Sequence, residues 1–154
     1  MEKEFIPYEQ ALALKELGFD GPCFGYYVDG ELRGINLGIK ELGGKEPYYQ
    51  RFGFHVISNL DIDNDTKVII AAPAYSQAFR WFREKYSLLN HLTTHLNPYG
   101  EDGALEESYG YRIMFNKDGW KCDVWEELIF DSYGEAELAC LAKLIEIAKG
   151  KLTA

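Results

Sequence analysis

The chain has 154 residues, of which 47% are hydrophobic and 27% are charged. That length and composition are typical of one folded domain with its own core, so we expect a single domain over residues 1–154. The formal net charge of −9 disfavours binding to nucleic acid and to anionic membranes, because both are polyanions that the chain's overall field repels.

No apolar run approaches the roughly 18 residues that a membrane-spanning helix needs, and the first five residues, MEKEF, lack the apolar segment of a secretory signal. Cys23, Cys122 and Cys140 lie far apart in apolar runs and contain no CxxC pair, which indicates reduced core thiols rather than a zinc or redox motif. We therefore expect a cytoplasmic protein that binds no membrane.

Three helices are predicted, over residues 7–17, 74–86 and 133–149. Pro7 suits the first helical position and Gly18 the left-handed position after a helix. Ser132 and Glu135 form a capping box for the third helix, which we expect to end before Gly150. The predicted buried stripe of the third helix consists of Leu138, Leu141, Ala142, Ile145 and Ala148.

Strands are predicted between the helices, over residues 23–28, 31–37, 51–58, 67–72, 107–116 and 120–130. Asp29-Gly30 is typical of a tight hairpin turn, because both residues tolerate a positive φ. The hairpins indicate pairing that is mainly antiparallel. The predicted class is α+β, a mainly antiparallel sheet with three helices packed on it, in the order α-β-β-β-β-α-β-β-α.

Three segments resemble a group of short proteins of bacterial genomes, phages and mobile elements to which no activity is attributed. They are EFIPYEQALALKELGFDGPCFGYY from Glu4, APAYSQAFRWFREKYSL from Ala72 and FDSYGEAELACLAKLIEIAK from Phe130. The segments cover about two-fifths of the chain. The resemblance implies kinship with phage-related proteins and transfers no catalytic residue.

Motifs that could bind a metal or phosphate are all incomplete. His91 and His95 would share one face of a helix, but no third ligand is spaced with them, and we expect surface histidines. Residues 61–65, DIDND, begin like a calcium loop that then lacks its glycine and its bidentate glutamate. Gly43-Gly44-Lys45 resembles a phosphate loop without the following Ser or Thr. We predict no catalytic residue, no metal and no cofactor.

Aromatic residues make up 15% of the chain, more than one small core requires, which favours a protein interface. Trp81 lies to the side of the apolar face of its helix, next to Arg80, Arg83 and Lys85. Tyr48 and Tyr49 form a second aromatic cluster. Aromatic residues beside arginine are common anchors of interfaces, although packing in an aromatic-rich core explains the same pattern.

The sequence thus predicts a non-enzymatic accessory protein that binds a partner protein or itself. Two alternatives belong to other classes. Strands followed by the helix after Phe130 resemble small integrase-type DNA-binding domains, which would make this a β-β-β-α nucleic-acid-binding module. A small-molecule binder or enzyme with a site of scattered residues is the other.

Overall fold

The computed structural model describes residues 4–33, 69–97, 106–117 and 121–152. The elements in chain order are α1 (Tyr8–Glu16), β1 (Gly25–Val28), β2 (Glu31–Arg33), β3 (Ile69–Ala72), α2 (Tyr75–Tyr86), β4 (Leu88–Asn97), β5 (Glu106–Lys117), β6 (Lys121–Phe130) and α3 (Tyr133–Leu152). The α+β class is therefore confirmed. The strand predicted at 51–58 lies outside the described residues.

The chain divides into two compact units, Met1–Ala78 and Phe79–Ala154, and the division falls within α2. Each unit contains one antiparallel three-stranded sheet, in the order β2-β1-β3 and in the order β4-β5-β6. In the described residues the strands thus form two sheets, where the sequence predicted one. That the whole chain acts as a single domain stays a prediction.

In the first unit, α1 packs against β3. The buried Tyr27 hydroxyl donates a hydrogen bond of 2.7 Å to the carbonyl of Ile6. Since a buried hydroxyl without a partner is destabilising, this bond stabilises the segment that precedes α1 against β1.

The two predicted backbone turns of the first unit are confirmed. Asp29 and Gly30 have φ values of 51° and 82°, as the tight hairpin between β1 and β2 requires. Gly18 follows α1 with a φ of 85°. Its N–H donates to the carbonyl of Lys15, and the N–H of Phe19 donates to the carbonyl of Leu14. This pair of bonds is a Schellman motif, which satisfies carbonyls at the helix end.

In the second unit, α3 packs across all three strands of a meander. The residues of β5 that face α3 include Tyr111 and Ile113, which are buried. The Tyr111 hydroxyl donates a 2.8 Å hydrogen bond to the carboxylate of Glu127, its cross-strand partner on β6. Cross-strand pairs of this kind hold the sheet in register.

Strand β4 was missed by the sequence prediction. Its leucines at 88, 92 and 96 recur every four residues, a spacing that keeps side chains on one face in a helix and in a strand alike. Ten consecutive pairs with β5, from Leu88↔Phe115 to Asn97↔Glu106, make the segment a strand.

The N-terminus of α3 is as predicted, because the Glu135 N–H donates to the Ser132 hydroxyl at 3.3 Å. The predicted stripe was partly wrong: Ala142 is exposed and Leu138 is only half-buried. The stripe that the structure buries consists of Ala136, Cys140, Leu141, Leu144, Ile145 and Ala148. The helix also continues past Gly150 to Leu152, so Gly150 is not its stop.

We expect Gly150→Ala to raise the free energy of unfolding by about 0.5–1 kcal/mol, because Ala is the better residue inside a helix. A Cβ at Gly150 would meet nothing within 4 Å. Urea denaturation measures the change. Gly30→Ala is the matched control: its site is equally open, but its φ of 82° should make the same substitution destabilising. A loss of stability in Gly150→Ala would place the helix end at Gly150 after all.

Candidate functional site

Helix α2 carries the surface that the sequence singled out. The side-chain amide oxygen of Gln77 accepts a 3.0 Å hydrogen bond from the N–H of Ala74, which caps the helix start. The helix ends at Tyr86, and Ser87 follows with a φ of 55°. The Lys151 ammonium donates to the carbonyl of Tyr86 at 3.1 Å and satisfies one acceptor at that end.

Three aromatic side chains of α2 within the second unit form a connected group. Phe82 is fully buried, whereas Trp81 and Tyr86 are half-buried. The Trp81 ring meets the rings of Phe82 and Tyr86 edge to face, at centroid distances of 5.0 and 5.4 Å. Phe82 thus anchors the group in the core, and Trp81 occupies its solvent side.

One cation contacts the half-buried indole. The Lys85 ammonium lies 4.9 Å from the centre of the Trp81 ring and 5.8 Å from that of Tyr86, within cation–π distance. Arg80 and Arg83 are both exposed. We call Trp81 with Arg80, Arg83 and Lys85 the Trp81 cluster. Its four members lie within six residues of α2, and Lys85 is placed against the indole.

One cation of the Trp81 cluster is paired. The Arg80 guanidinium lies 2.8 Å from the Glu84 carboxylate, and hydrogen bonding to Glu84 raises the pKa of Arg80. Both side chains are largely exposed, so the pair contributes little to stability. Three cations against this one carboxylate leave an excess of two positive charges over Phe79–Tyr86, in a chain whose net charge is −9.

The second predicted aromatic cluster, Tyr48 and Tyr49, lies outside the described residues. So do the calcium-like segment 61–65 and the glycine-rich loop around Lys45. The structure therefore places four of the six predicted interaction residues, and those four form the Trp81 cluster.

His91 and His95 lie on β4, not on a helix, and both are exposed. Four residues along a strand separate their Cα atoms by about 13 Å, which is too far for two imidazoles to bind one metal ion. Within the described residues, no three His, Cys, Asp or Glu side chains are grouped as a metal site requires.

Two cysteines are placed, and both are buried. Burial raises the pKa of Cys23 to about 12, and burial together with the nearby Glu137 carboxylate raises that of Cys140 to about 12. Since the thiolate is the nucleophilic form, neither thiol is activated at neutral pH. The expectation of core thiols holds for both.

Sequence reasoning missed a second feature of the surface, the apolar side chains at the far end of the β4-β5-β6 sheet. Leu96, Ile129 and Tyr133 are 56%, 81% and 49% exposed. Tyr133 meets the ring of Tyr109 at a right angle, with 6.4 Å between centroids. Strand alternation alone would have placed Leu96 on the face of the buried Leu88, so its exposure could not be read from the sequence.

No family model, curated protein or solved structure matches this chain. In the described part of the chain, no helix has the length and apolar character to span a membrane. Function is therefore inferred from the described side chains alone.

Proposed function

We propose that this protein is a non-enzymatic binding protein that contacts a partner protein through the Trp81 cluster. The observation that carries the proposal is a half-buried indole that packs against the buried Phe82 and is contacted by the Lys85 ammonium, with Arg80 and Arg83 exposed on the same helix. Tryptophan and arginine are the residue types most enriched among interface anchors. An indole already ordered by its neighbours loses little conformational entropy on binding.

The charge of the Trp81 cluster favours an acidic partner segment. A local excess of positive charge in an acidic protein attracts a carboxylate-rich surface to this one place and repels it elsewhere. Such a segment would pair its carboxylates with Arg83 and Lys85 while an apolar side chain contacts the indole. Kinship with proteins of phages and mobile elements would fit an accessory role of this kind.

Charge reversal tests the proposal. We expect Arg83→Glu and Lys85→Glu to lower partner binding at least tenfold, while both proteins stay folded because both residues are exposed. Lys85→Glu should also melt somewhat lower than Arg83→Glu, because it loses the contact of the ammonium with the Trp81 ring. Quantitative pull-down from host lysate, followed by titration of the captured partner, measures the change in binding. Thermal denaturation measures the melting temperature. Lys149→Glu, an equally exposed reversal on α3, is the matched control and should bind normally. Equal binding by all three variants would refute the role of the Trp81 cluster.

One observation favours the nucleic-acid alternative: β4, β5 and β6 form an antiparallel meander, and α3 follows directly and packs on one face. Against it, the opposite face of the sheet presents only Arg112 as a cation among its described side chains. A mobility-shift assay with nucleic acid, at low and at moderate salt, distinguishes the nucleic-acid-binding function from the protein-binding function. A shift that survives moderate salt would favour the nucleic-acid module.

A further inference from the structure

The second unit carries another exposed surface, at the end of the sheet where α3 begins. Leu96 on β4 is paired with Glu107 on β5, so the two side chains share a face of the sheet. Tyr109, two residues further along β5, donates a 2.7 Å hydrogen bond to the Glu107 carboxylate. The Tyr109 ring in turn meets the ring of Tyr133, the first residue of α3. These four residues are connected, and we call them the Tyr133 surface.

The Tyr133 surface combines exposed apolar side chains with negative charge. Leu96 is 56% exposed and Tyr133 is 49% exposed. The described segments around them, 92–97, 106–111 and 127–137, contain six Asp and Glu residues and no Lys or Arg. Asp131 and Glu135, on either side of Tyr133 in the sequence, are both exposed. This surface therefore has the chemistry that complements the Trp81 cluster, a half-buried indole in a region of excess positive charge.

The Trp81 cluster and the Tyr133 surface lie at opposite ends of the second unit. Lys151, in the last turn of α3, donates to the carbonyl of Tyr86 at the end of α2, and the helix from Tyr133 to Lys151 spans about 27 Å. β4 gives a similar separation, because Leu88 follows α2 closely and lies about 26 Å along the strand from Leu96. A contact between the two surfaces therefore requires two chains.

We infer that the Trp81 cluster of one chain binds the Tyr133 surface of a second copy of this chain. The inference rests on the proposed function and names the partner of the same site. Arg83 and Lys85 pair with carboxylates of the second copy, and the indole contacts the ring of Tyr133. Because the two surfaces differ, the contact is head-to-tail, and successive copies form a ring or a filament rather than a symmetric dimer.

Charge favours this contact over a symmetric one. The net charge of −9 makes two copies repel each other at long range, and two Trp81 clusters face to face would oppose positive charges. The head-to-tail contact joins the excess of two positive charges over Phe79–Tyr86 to an acidic surface. It also removes exposed apolar surface of Leu96 and Tyr133 from water.

Sedimentation velocity of two variants, alone and mixed, tests the inference. Arg83→Glu changes the Trp81 cluster and leaves the Tyr133 surface intact, whereas Tyr133→Ala does the reverse. We expect the parent protein to form assemblies larger than the 17.6 kDa chain, and either variant alone to associate at least tenfold more weakly. An equal mixture should form a complex of two chains and nothing larger, because each variant supplies one intact surface.

Phe24→Ala is the matched control for Tyr133→Ala. Phe24 has the same exposed fraction, 49%, but lies in the first unit, so this variant should assemble like the parent protein. Far-UV circular dichroism checks that each variant is folded. A parent protein that stays monomeric at high concentration, or a mixture that associates no better than either variant alone, would overturn the inference.

Failure of this inference can be distinguished from failure of the proposed function. If the parent protein is monomeric while Arg83→Glu still loses a captured host protein, the partner is foreign and the second copy is excluded. If Arg83→Glu and Lys85→Glu keep both self-association and host-protein binding, the Trp81 cluster has no binding role and both proposals are refuted.

Discussion

Leu141→Ala should lower the free energy of unfolding by about 2–5 kcal/mol, because the substitution loses buried apolar surface and leaves a cavity. Leu141 is fully buried on the face of α3 that packs across β4, β5 and β6. Its neighbours on the stripe, Leu144 and Ile145, are also buried, and a close-packed environment can collapse only partly into the space.

Thermal and urea denaturation measure this loss. The melting temperature should fall on the order of 10 °C for a chain of this length. Ala142→Gln is the matched control, since Ala142 is the next residue of the helix and is exposed. It should melt within a degree or two of the parent. A small effect of Leu141→Ala, or a large one of Ala142→Gln, would mean that α3 presents a different face to the sheet.

Phe82→Ala should lower the free energy of unfolding by about 3–5 kcal/mol, the usual range for a buried phenylalanine. Phe82 is fully buried, and its ring contacts those of Trp81 and Tyr86. The substitution therefore removes both core volume and the support of the Trp81 cluster. Binding through that cluster should be lost along with stability.

Trp81→Ala and Arg83→Ala complete this comparison on the same helix. Trp81 is half-buried, so Trp81→Ala should lower the free energy of unfolding by about 1–2 kcal/mol. The loss comes from two ring contacts and from the part of the indole surface that is buried. Arg83 is exposed, so Arg83→Ala should leave the free energy of unfolding almost unchanged. If Trp81→Ala were as destabilising as Phe82→Ala, the indole would be a core residue and the proposed interface would lose its central side chain.

The sequence was sufficient at three places where the structure depends on neighbouring residues. The turn at Asp29-Gly30, the motif after α1 at Gly18 and the cap of α3 at Ser132 all formed as predicted. Each depends on a backbone angle or a hydrogen bond within a few residues, so the residue type decides it. The Trp81 cluster was predictable for the same reason, because its members lie within six residues on one helix.

Other features depended on contacts between segments distant in sequence. The leucine spacing of β4 suits a helix or a strand, and only pairing with β5 makes it a strand. The buried face of α3 is the one that packs on the sheet. It contains Cys140 and Leu144, whereas Ala142 is exposed. Local chemistry therefore determined where the helices begin and where the hairpin turns. Only the tertiary structure decided which side chains are buried, because burial depends on which distant segments pack against a side chain.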